Sequence, residues 1–295
     1  MKPLSGASLA LIAFAGFPVG DAVIKSMSGE WPASGIGALR FSLAALALGL
    51  ILWLREGRAG FRVGRPWLHV ARGFAIAWAT LAFFSAIFVM PLAEAVTIQF
   101  VNPIITALLS AWLLSERMPR AAWIATAIAF AGVLIMLRPN IAEFGWQALL
   151  PLFAALGFSS LMILNRMVSS QRSVWAAQYY AAAWAAVFLV IVAVVGHWLI
   201  PALQFAALPT WGVVARCALV AVSASCCHYV LYLSTTRSTA AAIAPLVYVQ
   251  LIVATLISLF FFGDPIDLIS VLGGALIVGS GLFLWFADQR PAASR

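Results

Sequence analysis

Charge is what this chain of 295 residues has least of. Asp, Glu, Lys and Arg make up 9% of it, against about 25% in an ordinary soluble domain. With 64% apolar residues and a mean hydropathy of +1.06, 17 basic and 9 acidic residues cannot give a soluble fold its polar skin. The water-soluble enzyme classes are excluded on that ground. Histidine is scarce too: His69, His197 and His228 fall on three separate segments, so no HExxH zinc motif exists. The three cysteines, Cys217, Cys226 and Cys227, share one apolar segment. That spacing holds no zinc pair and no disulfide framework, and the thiols read as small buried apolar groups. A P-loop and a dinucleotide fingerprint are absent, so an ATP-driven pump would need a partner to supply the motor. No stretch supplies the ~50 residues of ordinary polarity that an extra soluble domain requires. Neither a metal, a cofactor nor a catalytic residue set is expected.

Long apolar runs are what the chain has. A spanning helix needs ~20 mostly apolar residues, and ten such stretches are readable: 5–25, 34–54, 67–89, 91–114, 120–138, 148–168, 174–196, 211–234, 239–262 and 268–287. Runs such as Ala181 to Val195 are continuously apolar, which argues for helices over a β-barrel's alternation. With the N-terminus placed in the cytoplasm, inside segments hold Lys2, Arg55, Arg58, Arg62, Arg65, Arg117, Arg120, Arg166, Arg172, Arg237, Arg290 and Arg295. Outside segments hold only Lys25 and Arg138; Arg40, Arg72 and Arg216 lie within spans. This positive-inside bias predicts both termini in the cytoplasm. It also explains the net charge of +8 without nucleic acid. The first apolar run resembles a signal peptide, but it continues to Ile24 and has a counterpart mid-chain, so it reads as a retained helix.

That counterpart is part of an internal repeat. Ala13, Gly16, Phe17 and Lys25 match Ala154, Gly157, Phe158 and Arg166 at an offset of 141. Trp67, Val70, Ala71 and Arg72 match Trp211, Val214, Ala215 and Arg216 at 144. Val101, Ile104, Leu108, Ser110 and Glu116 match Val249, Ile252, Leu256, Ser258 and Asp264 at 148. Five helices per repeat is an odd number, so the second half enters the membrane upside down. Inverted repeats are a recurrent carrier design, with the solute site at their interface. The expected division is a first repeat at 1–138, an outer linker at 139–147, an inverted second repeat at 148–287 and a cytoplasmic tail at 288–295.

Ten helices in two repeats, with Lys25 late in helix 1, Arg40 in helix 2, Pro103 mid-helix 4 and Ser115-Glu116 after it, resemble the drug/metabolite transporter superfamily. Within it the chain is most similar to EamA-type exporters, the YddG-like amino-acid exporters among them. Ala15-Gly16 stands where the family often has Trp-Gly. The resemblance implies a multi-pass bacterial inner-membrane protein that exports amino acids, aromatic ones included, or related metabolites by alternating access.

Polar groups at membrane depth are costly unless satisfied, so mid-span ones are candidates for the solute path. Gln99, Asn102 and Thr106 share one helix face beside Pro103, and Tyr248 and Gln250 lie at the equivalent depth of helix 9 near Pro245. Together with Trp78 they read as a central pocket, or alternatively as interhelical hydrogen bonding. Tyr179 and His228 join the same set; His228 is either a proton carrier or simply hydrogen-bonded. Nearer the outside, Asp21, Lys25, Arg40 and Glu94 form a charge cluster summing to zero. Asp21 and Lys25, four apart, can pair. The cluster is a gate or a structural neutralisation. Small residues at Ala127, Ala131, Ala275 and Gly279 permit close packing, within the chain or in a dimer. The partners expected are a small solute and the bilayer, and no nucleic acid. The alternatives are another drug or metabolite cargo, a channel, and an intramembrane lipid-modifying enzyme.

Overall fold

The structure, a computed structural model, describes residues 5–113, 120–168, 173–200, 204–205, 207–235, 237, 243–264 and 267–288. Lys2, Ser115, Glu116, Arg117, Arg172, Arg290 and Arg295 lie outside the described residues, as does nearly all of the tail. The described residues are helical, without strands: α1 (Gly6–Lys25), α2 (Ala33–Glu56), α3 (Pro66–Val89), α4 (Leu92–Gln99), α5 (Asn102–Leu113), α6 (Arg120–Phe144), α7 (Leu150–Val168), α8 (Val174–Leu199), α9 (Trp211–Thr235), α10 (Val249–Ile257) and α11 (Leu268–Asp288). Among the described residues, eight helical stretches are long and apolar enough to cross a membrane, α4 and α5 counting as one. Two shorter apolar helical stretches follow, Leu246–Phe262 and Leu268–Phe283.

Local chemistry sets the helix ends. Ser5 and Ser173 cap α1 and α8 by accepting from the backbone N–H three residues on. Pro66 opens α3, where its missing donor is harmless. The linker expected at 139–147 is largely helical. Helix α6 runs through to Phe144, and the chain turns at Gly145, whose φ of 62° is a left-handed conformation that glycine adopts without strain.

The bundle is apolar outside. Trp112, Trp198, Trp211 and Phe261 are each more than three-quarters exposed, whereas Ser34, His69, Arg72, Thr80 and Ser159 are buried. A water-soluble bundle has the opposite arrangement; lipid is the solvent that fits this one.

The packing has a second regularity. The main pairings are α2 with α8, α6 with α11, α3 with α7, α1 with α9, α3 with α8, α2 with α9, α1 with α10, α5 with α7, and α4 with α10. Taking α4 and α5 as one unit, exchange each first-half helix with its second-half counterpart. The set of pairings maps onto itself. The matched glycines follow the same rule. A Cβ on Gly16 would stand 2.5 Å from the Cys227 sulfur on α9, and one on Gly157 would stand 2.9 Å from the Ala79 Cβ on α3. Each lets the third helix of the other half approach. Ala127, Ala131, Ala275 and Gly279, read for close packing within the chain or in a dimer, are exposed. Gly132 and Gly273 take that role, with a Cβ on Gly132 only 2.7 Å from the Gly273 carbonyl oxygen.

Candidate functional site

The apolar run 91–114 does not fold as one helix. Pro103 has no N–H to give the Gln99 carbonyl, and its ring crowds that turn. Helix α4 therefore stops at Gln99 and α5 starts at Asn102. Between them Val101 N bonds to the Ile98 oxygen in a tighter turn. The corresponding stretch of the second half also changes geometry, from a 3₁₀ turn over Ala244–Tyr248 to α10 at Val249. The two discontinuities coincide at the offset of 148 although their prolines do not. Phe100 and Tyr248, counterparts at that offset, pack ring to ring with centroids 5.4 Å apart. Residues related by a two-fold exchange can touch only near the axis, so this pair marks the junction of the halves. The Tyr248 hydroxyl reaches over Gly281 on α11, where a Cβ would collide with it. Gln99 and Gln250 are half-buried beside the junction. Half-buried Asn102 accepts the Ser159 hydroxyl of α7 at 2.9 Å through its carbonyl.

Two expected members lie elsewhere. The Trp78 indole N–H donates to the Phe153 carbonyl at 3.0 Å, and its ring meets Phe74 and Phe153 on the α3–α7 contact while staying 45% exposed. Tyr179 packs edge-on against Phe61 at 5.3 Å and beside Gly49, on the α2–α8 contact. Position along a helix does not tell which of its faces points to the junction.

The expected charge cluster splits in two. Lys25 does not pair with Asp21. Its ammonium bonds Asp264 at 3.0 Å and the Met90 carbonyl at 3.1 Å, and lies 4.7 Å from the Phe262 ring centroid. Asp264 gets there because residues Ser258–Phe262 wind as a π-helical turn closed by Gly263 at φ 68°, and the Ser258 hydroxyl then donates to the same carboxylate oxygen at 2.7 Å. Glu94 accepts the Ser270 hydroxyl at 3.1 Å. Glu94, Ser258, Asp264 and Ser270 border a cavity of about 300 Å³ between α4, α6, α10 and α11 whose other walls are mostly apolar. Nearby, Arg216 reaches Glu30 and the Ser26 carbonyl, joining α9 to the end of α1. All these contacts lie at the Lys25 end of the bundle.

The opposite end has its own tie. Arg72 is 7% exposed; it donates to Asn165 at 2.7 Å and to the Ala177 carbonyl at 3.2 Å, and its third contact is His69 at 3.3 Å. Arg72 and Arg216, matched in the repeat, thus both clamp the first helix of the other half near its end. The sequence placed Arg72 only within a span; its partners Asn165 and Ala177 carried no signal there.

The other half of the cluster lies apart from Lys25. Asp21 on α1 and Arg40 on α2 are partly buried, and His228 on α9 is exposed. Arg40 is within electrostatic range of Asp21, His228 and Cys217. Its guanidinium lies 4.6 Å from the Phe41 ring centroid and 5.6 Å from that of Phe84. His228 packs against Phe17 at 4.9 Å.

With this geometry, the comparisons with known proteins become specific. Residues 4–138 match the EamA-like transporter family. The chain is similar over 292 residues, at 23% identity, to an S-adenosylmethionine uptake transporter of Rickettsia prowazekii, covering 99% of this chain and 96% of that one. A riboflavin transporter of Rhizobium johnstonii is 30% identical over 80% of this chain and 76% of its own length. A pseudopaline exporter, CntI, of Pseudomonas aeruginosa is 26% identical over 93% of each. A solved crystal structure with 20% identity superposes with a TM-score of 0.62, covering 97% of this chain and 98% of the other, and shares the fold. These relatives are named for other cargoes than amino acids and for both uptake and export, so the resemblance to amino-acid exporters narrows to the family. The chain is a membrane transporter that belongs to the EamA-like transporter family.

Proposed function

We propose that this chain is a ten-span carrier of a small amphiphilic metabolite, built from two inverted five-helix repeats and working by alternating access. The eight long spans and the two shorter apolar helices make up the ten. The repeats are 1–138 and 148–287, joined by 139–147, with both termini and the tail 288–295 in the cytoplasm of a bacterial cell. Its solute site is the interior between the halves, with Gln99, Asn102, Tyr248 and Gln250 at the junction and His228 contributed by α9; Trp78 and Tyr179 support the helix contacts around it.

The observation that carries this reading is the exchange symmetry of the helix pairings, with Phe100 on Tyr248 at its centre. Two like halves in opposite orientations can trade conformations, and the trade moves the opening of a shared site from one face to the other. In this reading the Lys25 end is the outer end, and the Lys25–Asp264 and Arg216–Glu30 pairs tie its helices together. Amino acids are one cargo class within this reading; S-adenosylmethionine and riboflavin are others, because relatives are named for them. Relatives named for uptake and for export leave direction to the gradients.

Counterflow tests the proposal. Proteoliposomes loaded with millimolar S-adenosylmethionine, riboflavin or a mixture of the twenty amino acids are diluted into tracer of the same solute. Transient tracer accumulation above equilibrium is expected for at least one cargo. Equilibration without overshoot for all of them means a channel or no transport, and defeats the reading.

A further inference from the structure

The connection between α2 and α3 carries charge that the fold does not use. Arg55, Arg58, Arg62 and Arg65 fall within eleven residues, and all four are exposed. They are four of the twelve basic residues on inside segments, and no other inside segment holds more than two. The positive-inside bias is a sum over short loops, so it does not explain this concentration in one of them. Arg55 lies over the Trp175 ring, 5.9 Å from its centroid. Among the described residues, the side chains of Arg58, Arg62 and Arg65 make no hydrogen bond, ion pair or ring contact. The one acid of the segment is already engaged: Glu56 accepts the Ser173 hydroxyl at 2.6 Å.

The segment is firmly built. Gly57 turns the chain at φ 60°, and Gly57–Phe61 wind as a 3₁₀ turn. Gly60 lies so close to α2 that a Cβ there would stand 2.8 Å from Leu52 Cδ1. The Tyr180 hydroxyl of α8 donates to the Phe61 carbonyl at 2.7 Å, and Tyr179 meets the Phe61 ring edge-on at 5.3 Å. At about 2 Å of rise per residue, Arg58 and Arg62 are about 8 Å apart along the turn, within reach of one group for side chains of this length. Arg65 follows at φ 52° and ψ 61°; among the described residues it is the only non-glycine at positive φ. Glycine would hold that conformation without strain, and no protein contact of the arginine side chain offsets it. Exposed apolar residues fix the level of the segment. Trp53 and Leu54 precede it and Trp67 follows it, each more than half exposed. Such aromatics sit where lipid tails meet head groups, which brings the three arginines to the phosphate layer.

We propose that Arg58, Arg62 and Arg65 form a binding site for the phosphate of an anionic phospholipid, in the inner leaflet under the topology above. Guanidinium forks match phosphate oxygens bidentately, and a basic cluster next to a spanning helix attracts anionic lipid. Trp53, Leu54 and Trp67 lie against the acyl chains of the same lipid. Glu56 with Ser173 and Phe61 with Tyr180 join this segment to α8, so the bound lipid braces a contact between the two halves. The site is separate from the solute path and does not depend on the cargo.

Lipid titrations of the full-length protein in dodecyl maltoside, read by native mass spectrometry and by melting temperature, test this. The wild type should hold phosphatidylglycerol roughly tenfold or more tighter than phosphatidylcholine at low ionic strength. Salt at about 0.5 M should shrink that preference. The loop variant Arg58→Gln/Arg62→Gln/Arg65→Gln should bind the two lipids within about threefold of each other. Because these side chains hold nothing in the protein, it should melt within about 2 °C of the wild type before lipid is added. Arg120→Gln/Arg290→Gln/Arg295→Gln removes the same charge from other inside segments and should keep the preference. Inorganic phosphate at millimolar concentration should neither stabilise the protein nor displace the lipid. The proposal fails if the wild type does not distinguish the lipids, or if both triple variants lose the preference equally. It fails too if phosphate alone competes, which would mark a site for soluble anions. A fall of roughly 5 °C or more in the lipid-free loop variant would make the arginines structural and overturn it as well.

Discussion

Removing Lys25 should hurt more than removing its partner. The two side chains are only 13% and 23% exposed. Breaking a fully buried pair costs about 3–5 kcal/mol, and an exposed one about 0–1 kcal/mol. Discounted for the remaining exposure, Lys25→Met is expected to cost about 2–3 kcal/mol. It leaves the Asp264 carboxylate with the Ser258 hydroxyl alone. Asp264→Asn should cost about 1–2 kcal/mol, because Lys25 keeps the Met90 carbonyl and the Phe262 ring. In melting temperature these are shifts of about 4–10 °C and 2–6 °C for a chain of this size. The double variant Lys25→Met/Asp264→Asn should cost less than the two single losses added, by about 1 kcal/mol or more. A melting series in detergent reads all four proteins. If the double variant loses the sum of the singles, or if Asp264→Asn is the more damaging, the contact at 3.0 Å does not hold the Lys25 end together.

Other substitutions probe the packing. Gly73→Ala should destabilise by about 1–3 kcal/mol in the same assay, since its Cβ would overlap Trp184 and approach the Ala185 nitrogen to 2.9 Å. Gly279→Ala, with nothing within 4 Å, should stay within about 0.5 kcal/mol of wild type. Gly281→Ala should drive the Tyr248 hydroxyl away from α11 and disturb its packing on Phe100, and Tyr248→Phe in the same chain should recover much of that loss. Arg72→Lys should cost about 1–3 kcal/mol, because an ammonium cannot serve Asn165, His69 and the Ala177 carbonyl from one plane.

Periodic features were legible in the sequence, and orientational ones were not. Apolar length marked the long spans, and nearly constant offsets matched Gly16 with Gly157 (141) and Arg72 with Arg216 (144), because these depend only on position along the chain. The sequence showed Pro103 inside a run read as one span, and the break it causes is local because a missing donor acts on its own turn. The partner of Lys25 was not legible. Asp21 at four residues is the local choice, whereas Asp264 is 239 residues away and is brought round by a π-helical turn with no sequence signature. The offset pairing Glu116 with Asp264 was the available hint that an acid closes that end. Trp78 and Tyr179 show the other gap. Nearly every face of these helices is apolar, so the usual contrast between a core face and a polar face is missing, and depth alone did not reveal which side turns inward.

The account turns on reciprocal opening of the two ends. Four exposed positions report it: Ser26 and Phe261 at the Lys25 end, and their repeat counterparts Met167 and Leu113 at the other. Spin labels on each pair, in proteoliposomes with the transported solute first on one side and then on the other, give two distance distributions. The account predicts that they change in opposite senses, the 26–261 distance lengthening as the 167–113 distance shortens. Both pairs lengthening together, or neither responding to any solute that the protein moves, would contradict alternating access between inverted halves.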